Sequence, residues 1–379
     1  MSLTFEHPFG QLTLQRYPAS NLAKDKDPLQ PWDAADHYLL RLQQENDCDQ
    51  VSVVNDQFGA LALGLGQRIT ESTGDSWLSW KAMTANAEIN QLPTPTWNNS
   101  LIGLTQGAQR VLFKIPKSQS LLVYQLKQLA QVARQTGPFE LWLGGMDKHL
   151  HKNQFNLVAK YFGPVNFLPG WKKARVWQAT FDPAVAEKEP KLLTSGYQLD
   201  KPKLSLLNGP NVFCGDKLDL GSRFFLKHFS QLPKAATVAD CGCGNGLLGI
   251  AYGALRPEAK ILTAVDESYL AVQCAEANAQ QNLNPDIQFV GQVGDALMGL
   301  EPASQELVLC NPPFHQQNTL TLDIAKRMFT SAKTALASDG ELWVVANRHL
   351  PYYRLLKRLF KHCNTIATDS KFSLYQCVR

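Results

Sequence analysis

The feature that most constrains the fold of this chain is an internal repeat, in which four sequence landmarks occur twice in the same order. The paired segments are Val51–Leu65 with Thr237–Ala251, Thr84–Leu92 with Glu276–Asn284, Arg110–Lys117 with Leu307–Phe314, and Glu140–Leu150 with Glu341–Leu350. The last pair reads ELWLGGMDKHL and ELWVVANRHL. A single short apolar segment can match another by chance, but four such matches in the same order are not expected by chance. We therefore expect two domains built on one plan.

Each copy alternates apolar runs of strand length with stretches of helix length, a pattern typical of a parallel sheet with crossover helices. In the second copy we expect strands at 237–240, 260–266, 287–291, 306–310 and 341–346, then an antiparallel pair near 365–367 and 372–378. The sequence therefore predicts an α/β protein with two tandem Rossmann-like domains. Because residues 183–203 are rich in proline and charge, we place a linker there, between domains at 1–182 and 204–379.

Composition excludes several classes of protein. With 379 residues, 44% of them hydrophobic, the chain can bury two cores. It has no run of 18 apolar residues and begins without a signal-peptide pattern, so we expect no membrane segment and a cytoplasmic protein. Its eight cysteines are scattered without a CxxC pair, which argues against disulfides and against a metal site. We take a two-domain monomer as the working expectation.

Charge alternates along the chain in step with the repeat. Residues 110–182 carry 11 Lys and Arg against 3 Asp and Glu, and residues 323–379 carry 10 against 4. The segment before each of them is acidic. Two basic segments in a nearly neutral protein indicate contact with a polyanion at particular faces, although ordinary solvated helices would give the same pattern.

The stretch ADCGCGNG follows a predicted strand and opens a predicted helix. Gly242, Gly244 and Gly246 allow positive φ and close approach of a ligand to the backbone. The spacing departs from G-x-G-x-x-G because Leu247 stands where that pattern needs its third glycine. A carboxylate at Asp240 would repel a pyrophosphate and attract a sulfonium or an ammonium group. The turn therefore favours S-adenosylmethionine over NAD.

Two further acids follow the next strands of the second copy. Asp266 ends the second strand, where a carboxylate commonly binds the ribose hydroxyls of a nucleotide. Asp295 lies in GDAL after the third strand, where it could accept the adenine amino group. Acids at successive strand ends predict a ligand lying along the carboxyl edge of the sheet.

The motif Asn-Pro-Pro-Phe ends the fourth strand beside the glycine turn. The Asn311 side chain and the Pro312 carbonyl can both accept hydrogen bonds from a planar NH₂ group, which would turn the nitrogen lone pair towards a methyl donor. Pro312 and Pro313 restrict the backbone, and Phe314 offers a flat face for stacking of a base. His315 could act as a base, but we expect it in a surface loop. The preceding segment, Phe213 and Asp219–Arg223, either packs in the core or closes over the cofactor.

The two copies differ where the chemistry is expected. The first copy has only Gly59 in its turn, Asn55 corresponds to Asp240, and Lys-Ile-Pro-Lys replaces Asn-Pro-Pro-Phe. We therefore expect that the first copy kept the fold and lost the cofactor. Its basic residues make it a candidate RNA-binding platform, namely Lys114, Lys117, Lys148, Lys172, Lys173 and Arg175.

At DCGCGNG and NPPF the chain resembles the class I S-adenosylmethionine-dependent methyltransferases that modify exocyclic nitrogens. A degenerate copy followed by an intact one resembles, within that class, the RsmC/RlmG family of ribosomal RNA guanine-N2 methyltransferases. The likeness extends over nearly the whole chain and is carried by DPLQPWDAADHYLL, GWKKAR, LDLGSRFF, CNPPFHQQ and VVANRHLPYYRLLKRLF. It is strongest to the large-subunit branch, which implies 23S ribosomal RNA as the partner and N2 of a guanine as the target.

The resemblance also implies roles for individual residues. Cofactor-binding roles fall on Asp240, Gly242, Gly244, Asn245, Gly246, Asp266, Asp295 and Asn311. Catalytic roles fall on Asn311, Pro312, Pro313 and Phe314. Cys241 stands where leucine is usual in the turn, and we expect it to point into the core.

Three alternatives remain open at the level of sequence. Because NPPF also occurs in adenine and protein-glutamine methyltransferases, the target could be another amine or amide, including a guanine of 16S rRNA. A second alternative is a non-catalytic RNA-binding or ribosome-assembly protein, which would suit the first copy better than the second. A nicotinamide-dependent oxidoreductase is disfavoured by the glycine spacing and by Asp240.

Overall fold

The computed structural model describes residues 2–18, 29–185, 189–212, 217–313 and 318–379, with only the backbone of 318–321. The chain divides into two compact units, Met1–Lys191 and Leu192–Arg379. Within the described ranges, no helix is both long and apolar enough to cross a membrane.

The first unit contains nine strands and five α-helices among its described residues. They are β1 (Ser2–His7), β2 (Gly10–Gln15), α1 (Ala34–Glu45), β3 (Val51–Val54), α2 (Ala60–Gly64), β4 (Ile69–Gly74), α3 (Trp77–Ile89), β5 (Trp97–Asn99), β6 (Arg110–Lys114), α4 (Gln119–Thr136), β7 (Glu140–Met146), α5 (Lys152–Tyr161), β8 (Val165–Phe167) and β9 (Ala174–Thr180).

The described part of the second unit repeats this series. Its elements are β10 (Ser195–Asp200), β11 (Lys203–Asn208), α6 (Leu220–Leu226), β12 (Thr237–Cys241), α7 (Leu247–Leu255), β13 (Ile261–Asp266), α8 (Tyr269–Asn282), β14 (Gln288–Val293), β15 (Gln305–Cys310), α9 (Asn318–Ala335), β16 (Leu336–Asn347), α10 (Tyr352–Leu359), β17 (His362–Thr368) and β18 (Phe372–Val378).

Both units contain a seven-stranded sheet with the same strand order. The order is β5-β4-β3-β6-β7-β9-β8 in the first unit and β14-β13-β12-β15-β16-β18-β17 in the second. In each sheet the penultimate strand of the order, β9 or β18, runs antiparallel to both of its neighbours, while the other pairs are parallel. Each unit also begins with an antiparallel hairpin, β1–β2 or β10–β11. The predicted pair of tandem Rossmann-like domains is therefore confirmed.

The central strands are apolar on both faces, as expected for a parallel sheet covered by helices on both sides. In β12, Val238 belongs to the core cluster on one face, whereas Ala239 and Cys241 belong to the cluster on the other. The predicted inward orientation of Cys241 is confirmed, since its side chain is fully buried. Full burial of a side chain such as valine or leucine contributes about 1.5–3 kcal/mol, so these two layers hold the strand ends in place.

A pair of asparagines on α8 anchors the hairpin of the second unit. Asn278 Oδ1 accepts a hydrogen bond from the Leu207 amide at 2.9 Å, and its Nδ2 donates to the Leu207 carbonyl at 2.8 Å. Asn282 makes the same two contacts with Ser205, at 2.9 and 2.8 Å. The two side chains thus satisfy the outer backbone groups of β11 in the way that another strand would.

The first unit contains the same anchor. Asn86 pairs with the backbone of Gln15 at 2.9 and 3.0 Å, and Asn90 pairs with that of Thr13 at 2.7 and 2.8 Å. These asparagines come from the repeated words TANAEIN and EANAQQN. The sequence repeat therefore includes a repeated set of hydrogen bonds between a helix and a hairpin.

The boundary between the units falls within the range predicted as the linker, 183–203, but part of that range forms a strand. The division falls between Lys191 and Leu192, and β10 occupies Ser195–Asp200, inside the range assigned to the linker. The side chains of β10 alternate between exposed and half-buried, and several of them are polar. A strand with so little apolar content has the composition of a loop, which is why the sequence pattern missed it.

Candidate functional site

The glycine turn leads from the end of β12 into α7 with three left-handed residues. Gly242, Gly244 and Gly246 have φ of 73°, 54° and 82°. A Cβ on Gly246 would lie 2.9 Å from Ile250 and 3.0 Å from Ala275, so this glycine is required for packing. A Cβ on Gly244 would meet no atom of the described chain within 4 Å. The turn therefore leaves its backbone open to a ligand at Gly244.

Asp240 lies at the end of β12, buried beneath the turn. Its Oδ2 accepts a hydrogen bond from the Gly249 amide in the first turn of α7, at 2.9 Å. Burial raises the pKa of Asp240 to about 7; the Gly249 hydrogen bond opposes this rise, and the nearby Asp266 adds to it. A carboxylate in such surroundings becomes favourable when a positive group is placed beside it.

Asp266 ends β13, the neighbour of β12 in the sheet. The two strands are parallel, with Cys241 opposite Val265, so Asp266 lies at the same edge as the glycine turn. Its Oδ2 accepts from the Gly244 amide at 3.0 Å, and its Oδ1 accepts from the Ser268 amide at 3.0 Å. Burial raises the pKa of Asp266, against the effect of these hydrogen bonds. The carboxylate is therefore held in one orientation at the sheet edge.

Asp295 is buried near the same edge but already has a partner on α9. Arg327 Nε lies 3.2 Å from its Oδ2 and 3.3 Å from its Oδ1. The sequence did not indicate this ion pair, because 32 residues separate the two side chains. An adenine amino group at Asp295 would have to share the carboxylate with Arg327.

Asn245 supports the turn through its side chain. Its Nδ2 donates to Asn208 Oδ1 at 2.7 Å and to the Tyr197 hydroxyl at 3.2 Å, both on the hairpin. Its carbonyl accepts from Asn278 Nδ2 at 3.0 Å. The hairpin and α8 therefore hold the turn from outside, through the side chain and the carbonyl of Asn245.

Asn311 follows β15 directly, at the carboxyl edge of the sheet where Asp240 lies in β12. β15 is the other neighbour of β12, with Cys310 opposite Cys241 and Leu309 opposite Asp240. Neighbouring strands lie about 4.8 Å apart, and residues two apart in a strand share a face. Asn311 therefore extends from the same face of the sheet as Asp240.

The Asn311 amide is held by the beginning of α6. Its Nδ2 donates to Asp219 Oδ2 and to Ser222 Oγ, each at 2.9 Å. Its Oδ1 is buried and has no hydrogen-bond partner among the described residues. Asp219 and Ser222 belong to the segment that the sequence marked as a possible cofactor cover, whereas Phe213 lies outside the described residues.

The rest of the Asn-Pro-Pro-Phe motif is described only in part. Pro312 is buried, and the Pro313 carbonyl accepts a hydrogen bond from the Tyr352 hydroxyl at 3.3 Å. Phe314 and His315 lie outside the described residues, so their predicted roles are not addressed by the structure. Across the described residues, no group of three or more His, Cys, Asp or Glu side chains could hold a metal ion.

The corresponding turn of the first unit kept its backbone shape. Gly59 precedes α2 with φ of 86°, as Gly246 precedes α7. Counting back equally from these glycines pairs Asn55, with φ of 63°, with Gly242. The strand registers give the same result, since Val54 pairs with Phe113 as Cys241 pairs with Cys310. The predicted correspondence of Asn55 with Asp240 is therefore wrong by two positions.

The acidic side chains of the site are missing from the first unit. The same count pairs Val53, in the middle of its apolar strand, with Asp240. Gly74 ends β4 where Asp266 ends β13. The first unit thus keeps the strand–turn–helix and lacks both carboxylates that could hold a positively charged nucleoside.

Lys114 occupies the position of Asn311 and is neutralised inside the first unit. Its Nζ lies 2.7 Å from Asp33 Oδ1 and 2.7 Å from Asp36 Oδ1, and its side chain is 13% exposed. Burial alone would lower the pKa of Lys114, but Asp36 and Asp33 raise it, so the ammonium stays charged. The expectation that Lys114 contributes to an RNA platform is therefore wrong, because both of its carboxylate partners lie within the protein.

Comparison with protein families finds a match in each half. Residues 2–183 match the RLMG N-terminal domain, and residues 203–376 match the Methyltransferase small domain. The chain is 42% identical over 381 aligned positions to Ribosomal RNA large subunit methyltransferase G of Stutzerimonas stutzeri, covering 98% of both chains. It is 41% identical to the protein of the same name from Pseudomonas aeruginosa strain UCBPP-PA14, covering 97% of both.

A solved structure shares the fold along the full length. The 16S rRNA N2 methyltransferase RsmC of T. thermophilus, in complex with AdoMet and guanosine, superposes with a TM-score of 0.77. The alignment covers 100% of this chain and 98% of that one, at 17% identity. This likeness concerns the fold, since identity is too low to carry more.

Proposed function

The chain belongs to the ribosomal RNA large subunit methyltransferase G family, and from this membership we propose that it transfers a methyl group from S-adenosylmethionine to N2 of a guanine in 23S ribosomal RNA. The observation that carries the proposal is the Asn311 amide, whose Oδ1 is buried at the sheet edge without a partner among the described residues. An acceptor held in this way suits a ligand that brings an N–H group to it.

The residues at the edge of the second sheet fit S-adenosylmethionine. The open backbone at Gly244 allows close approach, and Asp240 offers a buried carboxyl group that a neighbouring positive charge would keep ionised. Asp266 stands where ribose hydroxyls would be bound, with Asp295 farther along the edge. When bound, this cofactor supplies a methyl group on a positively charged sulfur, which is a good leaving group, so the protein needs no strong base.

The protein's contribution to the reaction is then mainly positioning. Asn311 Oδ1 accepts one hydrogen of the target amine, and the Pro312 carbonyl accepts the other. With both hydrogens held, the nitrogen lone pair points to one side of the amine plane. Holding two reactants in line can contribute about 7–11 kcal/mol to lowering a barrier. The base must leave its duplex to enter the site, at a cost of a few kcal/mol.

The two units take different roles in this proposal. The second unit is catalytic, and the first binds RNA through exposed basic residues. Lys117, Lys148, Lys172 and Lys173 are all exposed and follow the ends of β6 and β7 or precede β9. They therefore cluster near one edge of the first sheet. We propose a cytoplasmic monomer, because the free thiols of the described residues suit a reducing compartment.

Substitution of Asn311 tests the proposal. Asn311→Ala should lower kcat at least about 100-fold, because one positioned hydrogen bond to the reacting group is lost. S-adenosylmethionine affinity, measured by calorimetry, should stay nearly unchanged. The kcat is measured with extracted rRNA as the substrate and labelled S-adenosylmethionine as the methyl donor. Mass spectrometry of the product then identifies the methylated nucleoside.

Asn364→Ala is the matched control, since Asn364 is exposed on β17 in the same unit. It should retain wild-type turnover. If Asn311→Ala also retains it, Asn311 has no part in the reaction. A product other than N2-methylguanine would overturn the assigned target atom.

A further inference from the structure

We propose that Asp219 and Ser222 are positioning residues that fix the orientation of the Asn311 amide, and so make the site select a hydrogen-bond donor as its target. The inference rests on the proposed function, because it concerns the same amide. It adds two residues outside the Asn-Pro-Pro-Phe motif and states what each does.

The charge of Asp219 decides which way the Asn311 amide faces. An ionised carboxylate can only accept hydrogen bonds, so the group that faces Asp219 Oδ2 at 2.9 Å must be Nδ2. Ser222 Oγ accepts the second Nδ2 hydrogen at 2.9 Å. Both donors of the amide are thereby used within the protein. Oδ1 is left as the group that can contact a substrate.

The beginning of α6 holds these two acceptors rigidly. Asp219 is the N-cap residue of the helix, and its Oδ2 also accepts from the Ser222 amide at 2.8 Å. Ser222 is buried. The same carboxylate therefore caps the helix and orients Asn311, which ties the geometry of the amide to a packed element and not to a loop.

The first unit provides independent support, because the start of its helix α1 makes the same kind of contact with a different residue. Asp33 is the N-cap of α1, and Asp36 follows it by three residues, as Ser222 follows Asp219. Both acids contact Lys114, which occupies the Asn311 position. In both units, then, the start of this helix contacts the residue at the carboxyl end of the fourth parallel strand, which is Lys114 in one and Asn311 in the other. In the second unit the gripped residue is an amide with one acceptor left over.

This orientation has a consequence for recognition. An unpaired Oδ1 accepts from an amine and repels a carbonyl oxygen, so the edge of guanine that presents N2 fits, and the edge that presents O6 does not. With the amide reversed, Nδ2 would face the substrate and the preference would be inverted. A buried acceptor left unpaired against the wrong group discriminates strongly.

Asp219→Asn separates orientation from folding. Asparagine is as good an N-cap as aspartate, and its Oδ1 can still accept from the Ser222 amide. Because the same oxygen makes both contacts, the variant keeps an acceptor towards Asn311 but loses the negative charge, and a neutral amide oxygen favours Nδ2 at this contact less strongly than a carboxylate does. We expect kcat to fall about 10–100-fold, while the melting temperature, the KM for RNA and the S-adenosylmethionine affinity remain near wild type.

Ser222 is tested by removal and rescue of its hydroxyl. Ser222→Ala should lower kcat by a smaller factor, about 3–10-fold, since the Asp219 contact remains. Ser222→Thr keeps the hydroxyl and should recover activity towards the wild-type level. Lys227→Ala, at the exposed end of the same helix, is the control and should leave kcat unchanged.

A double-substitution cycle tests whether Asp219 acts through Asn311. If Asp219 acts through Asn311, Asp219→Asn added to Asn311→Ala should cause no further loss of kcat. Independent, multiplicative losses would overturn the inference while leaving the proposed function intact. Full activity of Asp219→Asn alone would also overturn it. Full activity of Asn311→Ala would remove Asn311 from the reaction, whereas an absence of methyl transfer to rRNA by the wild-type protein would overturn the proposed function.

Discussion

At the scale of single residues, Asp240 connects the sequence pattern most directly to a physical property of the site. The carboxylate lies under the glycine turn, accepts one backbone hydrogen bond and is otherwise surrounded by protein. Because burial penalises the charged form, its pKa rises to about 7, well above that of an aspartate in an unfolded chain. The ligand-free protein therefore loses stability whenever this group is ionised.

The pH dependence of stability should reveal this cost. The folded pKa exceeds the unfolded one, so the folded state binds more protons between pH 4 and 7, and stability falls as pH rises through that window. Asp240→Asn has no such group. Its stability relative to wild type should increase from pH 4 to 7, by about 1.4 kcal/mol for each unit of pKa shift, and then level off. Thermal unfolding of both proteins at a series of pH values measures the difference.

The test is how the stability difference between the two proteins changes with pH. Its absolute size is not the test, because asparagine at this position also changes stability by an amount that does not depend on pH. A parallel pair of stability curves for wild type and Asp240→Asn would mean that Asp240 titrates normally. S-adenosylmethionine should stabilise wild type more than the variant above pH 7, since only wild type presents the carboxylate.

Residues at strand ends could be predicted from the sequence, and residues that contact them from other elements could not. Asp240, Asp266 and Asn311 each follow an apolar run, so the carboxyl edge of a parallel sheet brings them together. Asp219 contacts Asn311 across 92 residues of chain. Nothing local marks such a pair, because it depends on where α6 packs.

At the scale of elements, each unit contains its own helix-to-hairpin anchor, which also contacts the turn of that unit. Asn278 contacts both the hairpin backbone at Leu207 and the carbonyl of Asn245 in the glycine turn. Asn86 makes the equivalent contacts with Gln15 and with the carbonyl of Phe58 at 2.8 Å. The anchor therefore fixes the outer side of the turn in both units, whether or not a ligand site remains.

Substituting the anchoring asparagine of each unit in turn should distinguish its contribution to stability from its contribution to cofactor binding. Asn278→Ala leaves backbone groups of β11 unsatisfied and should destabilise the second unit by about 1–3 kcal/mol. It should also weaken S-adenosylmethionine binding, because the turn loses its support. Asn86→Ala removes the same contacts from the first unit and serves as the matched control.

Thermal unfolding with and without S-adenosylmethionine provides the measurement. Asn86→Ala should lower stability without changing cofactor affinity. Equal loss of cofactor affinity in both variants would contradict the assignment of the cofactor to the second unit. Wild-type affinity in Asn278→Ala would mean that the turn does not depend on the anchor.

The hairpins themselves were the least predictable elements. The alternating apolar runs of the central strands carry a strong signal because both faces are buried. β10 has exposed and half-buried side chains only, and its polar residues were read as a linker. A pair of asparagines four residues apart on a helix does not by itself predict a contact. Its role can be recognised only once the position of the strand that it hydrogen-bonds is known.

At the scale of the whole molecule, the duplicated fold was predictable from the sequence. Which basic residues are exposed, and so free to bind RNA, was predictable only in part. The repeat order, the parallel strands and the loss of two of the three turn glycines in the first copy all follow from the residues themselves. The basic segment of the first unit combines exposed lysines with the buried ion pairs of Lys114. Charge counts cannot distinguish these two situations, because they contain no information on burial.

RNA binding should depend on the exposed lysines of the first unit. Lys148 and Lys173 are exposed and adjacent, since the Asp147 amide donates to the Lys173 carbonyl at 2.8 Å. Replacing both by alanine should weaken RNA binding and reduce the slope of log K against log salt by roughly 0.7 per lost phosphate contact. The kcat at saturating RNA should not change, because the chemistry lies in the second unit.

Filter binding of labelled rRNA at several salt concentrations measures the slope. Lys160→Ala is the matched control, as Lys160 is exposed on α5 beside the Tyr161 ring, 5.2 Å from its centroid. An unchanged slope in the double variant would remove these lysines from the RNA contact. A loss of kcat at saturation would mean that the first unit also affects chemistry.

The buried cation of the first unit makes the divergence of the two halves hard to reverse. An asparagine installed at Lys114 would leave Asp33 and Asp36 facing each other without a counterion. Removing those acids beforehand would isolate the ammonium, and either intermediate would be destabilised by about 3–5 kcal/mol. Every single-step reversion thus passes through a poorly folded protein. An attempt to rebuild catalysis in that half would have to exchange all three side chains at once.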